Sequence, residues 1–85
     1  MKSNELAAVW SLAHVVDAQE DYSVKDQRIA HQAIIALRQG VEQKEKGRND
    51  PMRANVFDFF GELYDLITNG TAEQLVNRID EIIYE

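Results

Sequence analysis

Apolar residues recur along this chain at three- and four-residue intervals, and four stretches keep that period long enough to be helices. The most sharply marked runs over residues 51–67. Asp50 offers an N-cap oxygen, and Pro51 falls at the first helical position, where a missing N–H costs nothing. Val56, Phe60, Leu63 and Ile67 line one stripe, flanked by Met52, Phe59 and Leu66 on one side and by Phe57 and Tyr64 on the other. Asp58, Glu62 and Asp65 fall together on the opposite side. Such a helix must be covered over nearly half its circumference, so helices packed on helices are expected.

The first helix is expected from about residue 4 to 19, with Ser3 or Asn4 as N-cap. Leu6, Val9, Trp10, Ala13 and Val16 form its main stripe, and Ala8, Leu12 and Val15 widen the apolar arc past half the circumference. No charge interrupts Leu6 to Val16. A helix apolar nearly all round is buried on more than one side, more cover than one short chain is expected to provide. Self-association through Val9, Trp10, Leu12, Val15 and Val16 is therefore expected, as a homodimer.

The second helix is expected over residues 24–46, opened by Ser23 with Asp26 in the capping-box position. Its inner face reads as Ile29, Ala33, Ala36, Leu37 and Val41, made shallow by Ala33, Ala36 and Gly40. Ile34 and Ile35 point off that face, and the polar turns 42–46 are expected to project into water. After residues 51–67, Asn69-Gly70 suggests a left-handed stop. Thr71-x-x-Gln74 is a capping box for a fourth helix whose stripe is Leu75, Val76, Ile79, Ile82 and Ile83, fraying after about Ile83. Short connections make sequential helices antiparallel neighbours. The fold expected for residues 1–85 is a single all-α domain: an antiparallel four-helix bundle, or two α-hairpins that complete a core by dimerising.

Charge changes this picture more than composition does. The net charge is −6, yet residues 1–53 hold eight acidic and eight basic side chains, while residues 54–85 hold seven acidic ones against Arg78 alone. That balance argues against a nucleic-acid binder working by phosphate neutralisation. It points to a protein partner with a basic surface, engaged by Asp58, Glu62 and Asp65 on the third helix and Glu73, Asp80 and Glu81 on the fourth. Lys44, Lys46, Arg48 and Arg53 make the one basic cluster. With no cysteine, disulfides and thiolate metal sites are excluded, which fits a reducing compartment. No segment is long enough to span a bilayer. Lys2 and the apolar run to Val16 mimic a signal peptide, but Glu5, Ser11 and His14 fit one poorly, so a cytoplasmic protein is expected.

Candidate chemistry is sparse. His14 and Asp17 share a face of the first helix, and an antiparallel hairpin can bring His31 near, but no further ligand completes a metal site. No Gly-rich loop precedes a helix, and Ser23 is already a cap. Glu42-x-x-Glu45 followed by Glu62-x-x-Asp65 resembles the paired E-x-x-E and E-x-x-D motifs of the all-α nucleotide pyrophosphohydrolases, the MazG-like family. That resemblance implies a Mg²⁺-dependent enzyme holding its metal between helices. The first motif departs from the family, because Gln43-Lys44-Glu45-Lys46-Gly47 lacks apolar positions. Length, helix count and the pairing of the last two helices are similar to the helical-bundle immunity proteins for bacteriocins, many of which are basic where this chain is acidic. The expectation from the residues is a non-enzymatic interaction module without cofactor or metal. A small acidic regulator or inhibitor has this profile, including those of phages and other mobile elements.

Overall fold

In the computed structural model, which describes residues 4–47 and 52–84, the elements are four α-helices: α1 Asn4–Asp17, α2 Val24–Glu45, α3 Val56–Asn69 and α4 Ala72–Tyr84. Two starts follow their sequence signals. The Asp26 N–H donates to Ser23 Oγ at 3.0 Å, and the Ser23 N–H reaches Asp26 Oδ2 at 3.5 Å. The Gln74 N–H donates to Thr71 Oγ1 at 3.1 Å, while Gln74 Oε1 accepts from the Thr71 N–H at 3.0 Å. Each box satisfies backbone donors that the first helical turn leaves without partners.

The other boundaries depart from expectation, the start of α3 through a tertiary contact and the rest through contacts within a turn. α3 starts at Val56, not near residue 51; Asp50 and Pro51 lie outside the described residues, and 52–55 are not helical. Asn55 is the N-cap, accepting from the Phe57 N–H at 2.9 Å, and Glu5 of α1 accepts from the Val56 N–H at 3.0 Å. α1 stops at Asp17 because the Gln19 side chain takes the Val15 carbonyl at 2.8 Å and the last turn tightens. Asn4 lies inside that helix, not at its cap, and Ser3 is outside the described residues. The left-handed stop belongs to Gly47 after α2 (φ 66°), not to Gly70, whose φ is −104°. Gly70 is needed for space: a Cβ there would stand 2.7 Å from Gln74 Oε1 and 2.8 Å from the Leu66 carbonyl. α4 stays helical through Tyr84, one residue past the expected fraying point.

The four helices form a bundle in which α1 packs on α2 and α3, and α4 packs on α2 and α3. α2 and α3, though consecutive, are diagonal and make no backbone contact, contrary to the rule that sequential helices are neighbours. The chain therefore forms two hairpins, α1/α2 and α3/α4, laid side by side. Glu5, Lys44 and Val56 gather the start of α1, the end of α2 and the start of α3 at one end. At the other end the Tyr22 hydroxyl donates to the Ile67 carbonyl at 3.0 Å, tying the α1–α2 turn to the last turns of α3.

One core joins all four helices. Leu12, Leu37, Leu63, Leu75 and Ile79 are fully buried, and no polar or charged residue is buried among those described. Met52 seals one end, its Sδ 3.3 Å from where a Cβ on Gly40 would stand, so the expected shallowness of α2 admits this side chain and Ile83. The buried stripes of α1 and α2 are rotated from the expected ones. Ile34 is buried beside Ala30, Ala33, Leu37 and Val41, because α1 covers that side of α2. On α1 the stripe centres on Ala8, Val9, Leu12 and Val16, which leaves Trp10 outside and 57% exposed.

That rotation corrects the expected self-association surface. Val9, Leu12 and Val16 are covered within their own chain, Val15 is half-buried, and only Trp10 of the five stands open. Two neighbours, α2 and α3, supply the cover that one short chain was not expected to provide.

Candidate functional site

All six acidic residues singled out on α3 and α4 are exposed, and they lie on the outer side of one hairpin. Amphipathic spacing places them there. With Val56, Leu63 and Ile67 buried on α3, and Leu75, Ile79 and Ile82 buried on α4, the carboxylates fall on the opposite arcs. They are not equivalent. Arg78 Nε donates to Glu62 Oε2 at 2.8 Å, and its Nη1 to Glu81 Oε2 at 3.3 Å, so one guanidinium bridges the two helices. The same guanidinium lies 5.0 Å from the Phe59 ring centroid, a cation–π contact that fixes its position. Glu62 and Glu81 are thus partly neutralised along the α3/α4 seam. Asp65 Oδ1 accepts from Asn69 Nδ2 at 2.8 Å. Asp58, in the first turn of α3, also complements the helix dipole. Among the described residues, Asp58, Asp65, Glu73 and Asp80 form no ion pair, and they carry the open negative charge of this face.

Of the basic cluster, Lys44 is drawn into the fold. Lys44 Nζ donates to Glu5 Oε1 at 2.7 Å and to the Ala54 carbonyl at 2.9 Å, with its side chain only 24% exposed. It is a structural latch, and the end of α2 does not project freely into water as expected. Lys46 and Arg53 are exposed, and Arg48 is outside the described residues.

The carboxylate motifs that resemble the pyrophosphohydrolase pattern are separated by the topology. Glu42 and Glu45 lie on α2, Glu62 and Asp65 on α3, and those helices are diagonal partners. Among the described residues, no three His, Asp or Glu side chains gather as a metal-holding group. His31 does meet Asp17 across the α1/α2 hairpin, Nε2 to Oδ1 at 2.6 Å, as the hairpin geometry allowed. His14 instead lies beside Trp10, ring centroids 6.4 Å apart.

On the α1/α2 side, a half-open hollow of about 190 Å³ lies between Trp10, Ile34, Ile35 and Arg38. The Nε of Arg38 is buried without a hydrogen-bond partner, and Glu42 Oε1 stands 3.8 Å away, beyond hydrogen-bonding distance. Sequence reasoning passed over this hollow, together with Glu5 and the bridging role of Arg78. The signals were a lone acid opening an otherwise uncharged helix and a lone cation in an acidic third of the chain. Among titrating groups, burial with the nearby Asp26 charge raises the Tyr22 hydroxyl above its ordinary range.

No protein-family model matches this sequence, and no curated protein or solved structure is significantly similar to it. Among the described residues, no helix is long and apolar enough to cross a membrane. What the molecule offers on its own geometry is two contrasting outer sides: one on α3/α4 where six acids face Arg78 alone, and one on α1/α2 where charges of both signs surround an apolar hollow.

Proposed function

We propose that this chain is a non-enzymatic protein-interaction module, a small acidic regulator or inhibitor that acts in the cytoplasm. It engages a basic surface of a partner protein or nucleoprotein complex and does not itself bind nucleic acid. The observation that supports this reading is the set of exposed carboxylates Asp58, Asp65, Glu73 and Asp80 along one hairpin, with Arg78 its only cation. A rigid helical face carrying uncompensated charge steers association with an oppositely charged surface and raises the encounter rate. The same Coulomb attraction lets such a face occupy a groove that otherwise holds nucleic acid. In this reading no cofactor is needed, and the chain works as a homodimer with both acidic faces open.

The test uses the intact chain as bait in extract of its source cell, wild type beside Asp58→Asn/Asp65→Asn/Asp80→Asn. Glu62 is left in place because it holds Arg78. A basic partner retained by wild type, released as salt rises from about 50 to 500 mM, and lost from the folded triple variant is the expected result. Equal capture by both proteins, insensitive to salt, would show the face to be merely solvated.

A further inference from the structure

We infer that two copies of this chain pair through the α1/α2 side, the Trp10 of each seated in the hollow of the other. The inference does not depend on what the acidic face binds.

The first observation is one of shape. Trp10 is 57% exposed and Ile35 43% exposed, and both border the same half-open hollow of about 190 Å³, floored by Val9, Ala13 and Ile34. A cavity of ~150 Å³ admits benzene, so this one takes most of an indole ring. In a two-fold contact each protomer must present both the projecting group and its receptor on one patch. Trp10 and the hollow beside it meet that requirement. Desolvated Trp side chains set in such recesses carry a large share of interface affinity.

The second observation is one of charge. α1 and α2 run in opposite directions, so Asp17 and His31 stand at one end of the hollow and Arg38 at the other. A two-fold axis running across the helices lays the Arg38 end of one copy against the Asp17 end of its mate. The Arg38 side chain is 41% exposed and has Glu42 Oε1 of its own helix only at 3.8 Å, and the Asp17 side chain is 59% exposed with only Oδ1 engaged by His31. Each keeps an open side to which the paired arrangement brings the opposite charge. The acidic α3/α4 hairpin faces away from this contact, so the two net charges of −6 stay far apart.

Trp10 is the only tryptophan, which makes the test direct. Sedimentation equilibrium of the full chain is expected to give a monomer–dimer equilibrium with Kd on the order of 10 µM, and Trp10 emission should shift to the blue over the same concentrations. Ile35→Glu, at an exposed position, should keep the circular dichroism of wild type and raise Kd at least ~30-fold. Arg38→Asp should weaken pairing, and adding Asp17→Arg in the same chain should restore it. A monomer up to about 200 µM overturns the inference, and so does a dimer whose Trp10 emission ignores concentration. A dimer that survives Ile35→Glu but dissociates with Phe57→Glu would move the contact to the α1/α3 seam. A monomer whose emission shifts on adding phenylacetate would give the hollow to a small aromatic ligand.

Discussion

The two hairpins contribute to one core and differ almost entirely outside it. The α1/α2 hairpin mixes acids and bases, joins Asp17 to His31 and latches Lys44 on Glu5, and exposes Trp10 and Ile35. The α3/α4 hairpin leaves four carboxylates open and has Arg78 as its one cation, although α3 also exposes Tyr64 and, beside α1, Phe57. Burial constrains only the inward arc of each helix, and the outward arcs are free to diverge. The comparison teaches that the buried arcs and the open charge occupy different residues here, so the fold and the surface can be altered separately.

The largest expected effect tests whether the inward arcs are equivalent. Leu12→Ala on α1 and Leu75→Ala on α4, both fully buried, should each cost about 3–5 kcal/mol. Chemical denaturation followed by circular dichroism and by Trp10 fluorescence should still give one coincident transition. Two separated transitions would mean that the hairpins are independent units.

A smaller effect separates the ion pairs. Glu5 bridges Lys44 and the Val56 N–H with its side chain only 15% exposed, so Glu5→Gln should cost about 1.5–3 kcal/mol. Glu62 is 47% exposed, and Glu62→Gln should cost less than about 1 kcal/mol. Equal losses in urea titrations would erase the contrast between a latch and a surface bridge.

Tyr22 ties the two hairpins together, and its loss should lie near 1 kcal/mol for Tyr22→Phe. Its hydroxyl is raised above the ordinary value of 10.0, so the folded state holds the proton more tightly than the unfolded chain. This contribution is complete below about pH 10 and falls as pH rises through the folded value. Melting curves between pH 9 and about 11.5 should show wild type losing stability faster than Tyr22→Phe. Parallel curves would remove Tyr22 from the account.

The smallest effect is on the acidic face. Asp58→Asn, Asp65→Asn and Asp80→Asn should each change stability by no more than about 0.5 kcal/mol. A larger loss, measured by thermal melting, would show these carboxylates to be structural after all.

Helix number, the two capping boxes and the inner stripes of α3 and α4 were legible because each depends on residues within one turn. Ser23 needs only Asp26, and Thr71 needs only Gln74. Much of what was not legible depends on partners far along the chain. Pro51 is a stronger local start signal than Asn55, yet α3 begins after Asn55, where Glu5 from 51 residues away accepts the Val56 N–H. The stripe of α1 could be centred on either Val9 or Leu12 by period alone, and the flanking positions of α2 and α3 decide it, turning Trp10 outward. At the candidate site, exposure of the six carboxylates could be read from spacing. The bridging of Glu62 and Glu81 by Arg78 could not, because it needs the register between α3 and α4.

The diagonal placement of α2 and α3 has a kinetic consequence. Half of the helix–helix seams, α1 with α3 and α2 with α4, join segments of chain that are distant in sequence. Neither hairpin can bury its apolar arc alone, since Leu12 and Leu37 on one side and Leu63 and Leu75 on the other meet in a common interior. Loop-closure entropy must be met before those long-range contacts reward it. The chain should therefore cross its barrier with both hairpins already together, at a transition state in which neither is native by itself. It should also fold more slowly than a bundle of the same size whose consecutive helices all touch.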